Sequence, residues 1–260
     1  MATYLDTIVA AHRAAAARDE RLLADLADGA ESMPPTRGFA AALQDGGTLS
    51  VISEIKRRSP SKGDLFPDLV PGDLARTYEA GGASCLSVLT DAEFFGGSVD
   101  DLQEARAACA LPVLRKDFTV DRRDVADARL MGADAVLLIV AALSDEELHS
   151  FHALATDLGL DALVEVHDER ELDRAIAAGA TLIGVNQRDL TTFAVDRELA
   201  AKLRPSMPEA AVTVAESGVR NRADAEALTA AGYDAVLVGE SLVTSVDPGA
   251  AVRELLVPCS

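Results

Sequence analysis

The chain has 260 residues and a mass of 27.2 kDa, with 24 Lys plus Arg against 43 Asp plus Glu, a net charge of −19 and a pI near 4.5. This balance argues against nucleic acid and anionic membranes as partners, since a polyanion needs a basic face to release its counterions. With 49% hydrophobic and 26% charged residues the composition is that of a folded chain, and 260 residues fit one α/β barrel.

In chain order, the first twenty residues lack a basic start followed by an apolar block, so no signal peptide is expected. Tyr4–Ala27 has the pattern of one or two amphipathic helices, Ser32–Gly38 that of a turn, and FAAAL after it that of a short helix. Residues 1–48 are thus expected to be an N-terminal helical extension, too short for a core of their own. Eight apolar runs then read as strands: Leu49–Ile55, Cys85–Leu89, Pro112–Lys116, Ala135–Val140, Ala162–Val166, Leu182–Asn186, Ala211–Glu216 and Ala235–Gly239. Helical patterns separate them, among them Asp73–Gly81, Asp121–Gly132, Ser144–Gly159 and Asn221–Gly232. The longest apolar run, Ala135–Leu143, falls short of the ~20 residues that cross a bilayer.

Strand and helix alternate strictly, which calls for a parallel sheet with right-handed crossovers. Gly82, Gly132, Gly179 and Gly232 each follow a helix and precede a strand, at a spacing of roughly 50 residues, or two strand–helix units. Four such quarters make eight units. No Gly-x-Gly-x-x-Gly follows the first strand, so the expectation is a closed (βα)8 TIM barrel, a single domain over residues 1–260. Cys85, Cys109 and Cys259 are odd in number and widely spaced, which suggests a reducing, cytoplasmic compartment without disulfides.

In such a barrel the chemistry stands at the carboxyl ends of the strands. The first strand ends with Glu54 and Lys56 on one face, the third carries Lys116, the fifth Glu165, the sixth Asn186 and then Arg188, and the seventh Glu216. Only four of the basic residues are lysines, at 56, 62, 116 and 202. Two of them lie at strand ends, where partial burial can tune an amine toward neutral pH and make it an acid. The competing reading of Lys56 and Lys116 is a pair of internal salt bridges to Glu54 and another carboxylate. Arg115, of opposite parity, is expected to face the helices.

Ser217-Gly218 after the seventh strand and Gly239-Glu240 after the eighth lead toward helices, and small residues there expose backbone N–H groups to a phosphate. The Glu240 carboxylate would have to point away. Phe94, Phe95 and Phe118 follow strand ends, where an aromatic substrate ring would lie, with core packing as the plainer role. His12, His149 and His152 fall in surface helix patterns, and His167 has no second ligand at metal spacing, so no metal site is expected.

The segment VISEIKRRSPSKGDL (Val51–Leu65), followed in order by LSVLTDAEFFGGS, PVLRKDF, GADAVLLIV, LVEVH, GVNQRDL, VAESGV and VLVGESL, resembles the indole-3-glycerol-phosphate synthase family over essentially the whole chain. The resemblance implies a lyase of tryptophan biosynthesis. Its reaction closes a ring in 1-(2-carboxyphenylamino)-1-deoxyribulose 5-phosphate, with loss of carbon dioxide and water and without metal or organic cofactor. It implies Lys116 as general acid, Glu165 as base, Lys56 as a second acid near the phosphate, Glu54 as keeper of the lysines' charge, and Glu216 as partner of sugar hydroxyls. Asn186 and Arg188 would meet the anthranilate end and orient Glu165. Ser59 and Pro60 would shape the first loop, and Phe95, Phe118 and Leu190 would pack on the benzenoid ring. Ser217, Gly218, Gly239 and Glu240 would offer N–H groups to phosphate. The partner implied is a small anionic phosphosugar. A monomer is the default expectation, weak association with other enzymes of the pathway stays open, and no fused enzyme is expected beyond Ser260. Two rivals are phosphoribosylanthranilate isomerase, which needs a cysteine base at the first strand, and a barrel kept only for binding, which would have lost its acid or base.

Overall fold

The computed structural model describes residues 3–44, 47–59 and 62–259. Pro60 lies outside the described residues. Eight parallel strands, β1 (Ser50–Ile55), β4 (Cys85–Leu89), β5 (Val113–Lys116), β6 (Ala135–Ile139), β7 (Asp161–Val166), β8 (Leu182–Asn186), β9 (Val212–Glu216) and β10 (Ala235–Val238), follow one another around a closed barrel, and β10 pairs back onto β1. The two-residue strands β2 (Arg58–Ser59) and β3 (Gly63–Asp64) form a hairpin in the loop after β1.

The strands read as unbroken apolar runs because both faces are covered. One face, with Ile52, Cys85, Leu114, Leu137, Leu163, Leu182, Val214 and Leu237, fills the barrel interior. The other, with Val51, Leu86, Val113, Val136, Val164, Ile183 and Val236, packs on the surrounding helices. Strand parity therefore assigns the strand-end residues: Glu54, Lys116, Glu165, Asn186 and Glu216 share the face of the inward set. Arg115 faces outward, its guanidinium bonded to Asp117 Oδ2 at 3.0 Å and to the Asp124 carbonyl at 3.0 Å.

Helix starts and stops follow local chemistry. Ser98, Asp121, Ser144, Asp168 and Asn221 each accept a first-turn backbone N–H, opening α5 (Val99–Ala108), α6 (Arg122–Leu130), α7 (Asp145–Asp157), α8 (Glu169–Ala177) and α10 (Arg222–Ala230). The four glycines spaced along the chain sit at φ of 92°, 93°, 85° and 90°, the left-handed conformation that ends a helix and that glycine adopts without strain. Pro71 and Pro248 open α4 (Pro71–Gly81) and α12 (Pro248–Leu255), where a missing N–H costs nothing.

Residues 3–44 run from one end of the barrel to the other. Helix α1 (Tyr4–Ala16) lies over the carboxyl ends of the strands, held by Arg13 on Glu147 at 2.8 Å and on the Ala142 carbonyl at 3.1 Å. Helix α2 (Leu23–Glu31) packs beside α6. Helix α3 (Phe39–Gln44) plugs the opposite end, with Phe39 fully buried against the interior cluster, and the Ala40 N–H donating to Asp161 Oδ2 at the start of β7. No helix among the described residues is long and apolar enough to cross a membrane.

Candidate active site

The carboxyl ends of the strands surround a cavity of about 520 Å³. Of the sequence-derived site residues, Glu54, Lys56, Ser59, Phe95, Lys116, Phe118, Glu165, Asn186, Arg188, Leu190, Glu216, Ser217, Gly218, Gly239 and Glu240 all line it. Phe94 does not; it is half-buried, outside the core, with its ring edge-on against Tyr4 at 6.0 Å.

The centre is a chain of charges. Lys56 is bonded to Glu54, and Lys116 Nζ lies 3.0 Å from Glu165 Oε2 and 3.6 Å from Glu216 Oε2. Asn186 Nδ2 donates to Glu165 Oε1 at 3.1 Å, and its own Oδ1 accepts the Arg188 N–H at 3.1 Å. The salt-bridge reading of the two lysines and the catalytic one are therefore compatible, since the same ammonium groups are both paired and exposed to the cavity.

The expectation that Lys116 is tuned toward neutral pH is corrected by its surroundings. Burial alone would push the pKa of this ammonium down, but Glu165, Glu216 and Glu54 outweigh burial and hold it above the ordinary lysine value. The two glutamates divide. Burial acts to raise Glu165, yet Lys116, His167 and Asn186 prevail and keep its carboxyl well below the usual range. For Glu216 burial and the neighbouring Glu165 carboxylate prevail and push it up to about 8. Its Oε1 has no hydrogen-bond partner, so nothing compensates a charge on that buried oxygen.

Two loops form the wall after β9 and β10. Ser217 and Gly218 have φ of 64° and 82°, consecutive left-handed residues that turn the backbone sharply, with the Ser217 carbonyl accepting from Gln187 Nε2 at 2.8 Å. Gly239 approaches the Glu54–Lys56 pair so closely that a Cβ would lie 2.2 Å from Glu54 Oε1 and 3.2 Å from Lys56 Nζ. The Glu240 carboxylate is paired with Lys62 Nζ at 3.0 Å. Helix α11 (Glu240–Val243) after this loop is only four residues long, and α10 begins four residues beyond Gly218.

Several cavity residues escaped the sequence reading. Tyr4, Leu5 and Ile8 reach in from α1, and Phe193, Arg197 and Arg220 from the loops after β8 and β9. Amphipathic periodicity marked α1 as a packing helix but carried no information on which end of the barrel it covers. His12 is likewise not a surface residue. Its Nε2 lies 2.9 Å from Asp91 Oδ2 and 3.8 Å from Asp117 Oδ1, and its ring is 5.5 Å from that of Phe118. Burial opposes charge on this imidazole, but Asp91 and Asp117 raise its pKa nonetheless.

His12, Asp91 and Asp117 are the one group among the described residues with three metal-ligand types within 4.8 Å of one another. Their oxygens are already engaged: Asp91 Oδ1 accepts the N–H groups of Phe94 and Phe95 at 2.6 and 3.0 Å, and Asp117 accepts from Phe118 N at 2.8 Å and from Arg115 and Thr90. With His12 and Arg115 supplying positive charge, the group is complete as a hydrogen-bonded clasp between α1 and the loops after β4 and β5.

The family model for indole-3-glycerol phosphate synthase matches residues 5–255. The chain is 55% identical over 244 residues to a Streptomyces coelicolor protein described as indole-3-glycerol phosphate synthase 2, covering 94% of this chain and 93% of that one. In fold it is similar to a thiamine phosphate pyrophosphorylase from Pyrococcus furiosus, with a TM-score of 0.61, 20% identity, and 80% and 93% of the two chains covered. A 3-hexulose-6-phosphate synthase is similar at a TM-score of 0.62 and 16% identity, with 80% and 98% covered. These two likenesses concern the barrel alone, whereas the family model and the 55% identity extend along nearly all of the sequence: the chain belongs to the indole-3-glycerol phosphate synthase family.

Proposed function

We propose that this chain converts 1-(2-carboxyphenylamino)-1-deoxyribulose 5-phosphate into indole-3-glycerol phosphate, carbon dioxide and water. The observation that carries the assignment of roles is the position of Lys116, an ammonium facing the cavity between Glu165 and Glu216. In ring closure the aromatic carbon that bears the carboxylate attacks the ketone carbon, and the ketone oxygen takes a proton. Lys116 is the donor, and its ammonium opposes the charge growing on that oxygen. Carbon dioxide then leaves and the ring becomes aromatic again. In the last step Glu165 removes a proton from the carbon next to the new alcohol, while Lys56, beside Glu54, supports departure of the hydroxyl as water.

Glu216, neutral near pH 7, is suited to donate a hydrogen bond to a sugar hydroxyl. Phe95 and Phe118, with ring centroids 6.2 Å apart, and Leu190 offer an apolar wall for the benzenoid ring. The phosphate is assigned to the backbone of Ser217, Gly218, Gly239 and Glu240, with Lys56 adjacent and the Glu240 carboxylate drawn off by Lys62. Arg188 is assigned to the anthranilate carboxylate. We infer further that residues 1–260 work as one barrel unit with 1–48 as its extension, in the cytoplasm, where Cys85, Cys109 and Cys259 stay free. The isomerase alternative finds no support at the first strand, which carries Glu54 and Lys56 in place of a cysteine.

The test is indole fluorescence on mixing the protein with the carboxyphenylamino-deoxyribulose phosphate in the presence of a chelator. The signal is expected to rise, and to fall by at least about 100-fold in rate in Lys116→Ala with substrate-analogue binding little changed. Binding of the substrate by folded protein without any rise would overturn the assignment.

A further inference from the structure

Glu165 is 1% exposed, and both of its oxygens are engaged. Oε2 meets Lys116, while Oε1 accepts a hydrogen bond from Asn186 and lies 3.3 Å from His167 Nε2, an ion-pair contact without hydrogen-bond geometry. His167 follows β7 directly, so its backbone is fixed by the barrel. Its other ring nitrogen, Nδ1, lies 3.0 Å from Glu171 Oε2, and that same oxygen accepts the His167 backbone N–H at 2.8 Å. Glu171 is in turn anchored in the first turn of α8, where its N–H donates to Asp168 Oδ1 at 2.8 Å. A fixed line thus runs from the start of α8 through an imidazole to the back of Glu165.

A carboxylate on each side favours an imidazole protonated on both nitrogens. The titratable groups facing His167 are Glu165 on β7, Glu171 on α8, Asp189 after β8 and Glu216 on β9, with Lys116 of β5 on the far side of Glu165. Burial alone would lower the histidine, but Glu165 and Glu171 push it up to about 10. Lys116 faces the cavity and is assigned to the substrate, whereas His167 does not line the cavity and touches Glu165 from behind.

We propose that His167 is a positioning residue for Glu165: braced by Glu171, it holds a second, substrate-independent positive charge at the Oε1 edge of the base and keeps the carboxyl ionised. This rests on the reading of Glu165 as the base. It explains how Glu165 stays ready to accept a proton when Lys116 turns its own proton toward the ketone, a moment at which one of the two cations beside it is spent. Glu171 takes part only through the imidazole.

The experiment is a set of pH–rate profiles for the wild type, Glu165→Gln, His167→Gln, Glu171→Gln and the double variant His167→Gln/Glu171→Gln, with folding checked by circular dichroism. His167→Gln is expected to lower kcat about tenfold near pH 7 with KM changed less than about threefold, and to move the acid limb of kcat/KM up by about one pH unit. The limb belongs to the coupled site, and its upward movement reports the lost cation. Glu171→Gln is expected to move the limb the same way by less, and the double variant to match His167→Gln, since the second change has nothing left to act through. A Glu165→Gln enzyme that keeps its turnover would overturn the reading of the base itself. An inactive Glu165→Gln together with an unmoved acid limb in His167→Gln would overturn the role of His167 alone. Should His167→Gln fail to fold, Glu171→Gln decides, and an acid limb at the wild-type position overturns the proposal.

Discussion

Glu216→Gln isolates the energetic consequence of burying a third carboxyl beside two others. The side chain is 2% exposed, one oxygen lacks a partner, and its carboxyl is raised from an ordinary 4.5 to about 8. A carboxyl whose folded pKa is raised contributes stability that is fully present below the unfolded pKa and is lost as pH rises through the folded one, because the folded state holds a proton that the unfolded state has released. Each pKa unit is worth about 1.4 kcal/mol, so relative to an always-neutral side chain Glu216 costs about 1 kcal/mol at pH 5 and about 3 kcal/mol at pH 7. Glutamine keeps the shape and never ionises. The stability of Glu216→Gln minus that of the wild type is therefore expected to grow by about 2 kcal/mol between pH 5 and pH 7. The chain has no tryptophan, so urea unfolding followed by far-UV circular dichroism is the suitable assay. A difference that stays flat between the two pH values would show that Glu216 has an ordinary pKa in the folded protein. A difference of opposite sign would mean that the ionised Glu216 is needed to hold Lys116.

Gly239→Ala places a methyl 2.2 Å from Glu54 Oε1 without any backbone strain, since φ there is −117°. Glu54 is 95% buried and cannot retreat far, so the Glu54–Lys56 pair must open; we expect KM to rise at least about tenfold with unchanged circular dichroism, and an unchanged KM would refute this steric account. His12→Ala removes the clasp on Asp91. Because the imidazole is raised in the folded state, its contribution is fully present below about pH 6.5 and is lost as pH rises through the folded value, so the loss of stability should be about 1 kcal/mol at pH 6 and smaller at pH 9. Thermal unfolding at the two pH values checks the sign, and an equal or larger loss at pH 9 counts against it.

What the sequence made legible was set by period and parity. Strands buried on both faces leave unmistakable apolar runs, and a polar residue in such a run can only be at its end and on a definite face. Glu54, Lys116, Glu165, Asn186 and Glu216 were identifiable on those grounds, because each breaks an apolar strand at the inward parity. Their protonation was not. The charge of Lys116 depends on acids from β1, β7 and β9, which are distant in sequence, and local burial alone pointed the wrong way. The surface expectation for His12 fails for a related reason: its partner Asp91 is 79 residues away. His167 lies beside Glu165 across one strand residue, a contact that the search for metal-ligand spacing does not register. The N-terminal extension was recognisable as helical, but its path from the mouth at α1 to the plug at α3 is a tertiary fact that periodicity does not encode.

The remaining question is how a chain of net charge −19 accommodates a substrate that bears both a carboxylate and a phosphate. Beyond about 8 Å at physiological salt the surface acids are screened, so the groups lining the cavity decide. Among these, the deep lysines are matched by carboxylates: Lys56 by Glu54 and Lys116 by Glu165. Asp117 is matched by Arg115, and Glu216 is neutral near pH 7. Arg220 at the rim is likewise paired, with Asp224 at 2.9 Å, but two other cavity arginines are held differently. Arg188 Nη1 donates to the Phe193 carbonyl at 3.2 Å, and Arg197 Nε to the Gly218 carbonyl at 3.2 Å. A carbonyl fixes a guanidinium without cancelling its charge, so these arginines keep a full positive charge for the substrate's anionic groups. The paired lysines, by contrast, sit in a nearly neutral interior, where the decisive quantity is the proton and not the net field. Arg188 and Arg197, held by carbonyls, are thereby suited to binding, and Lys56 and Lys116, held by carboxylates, to proton transfer.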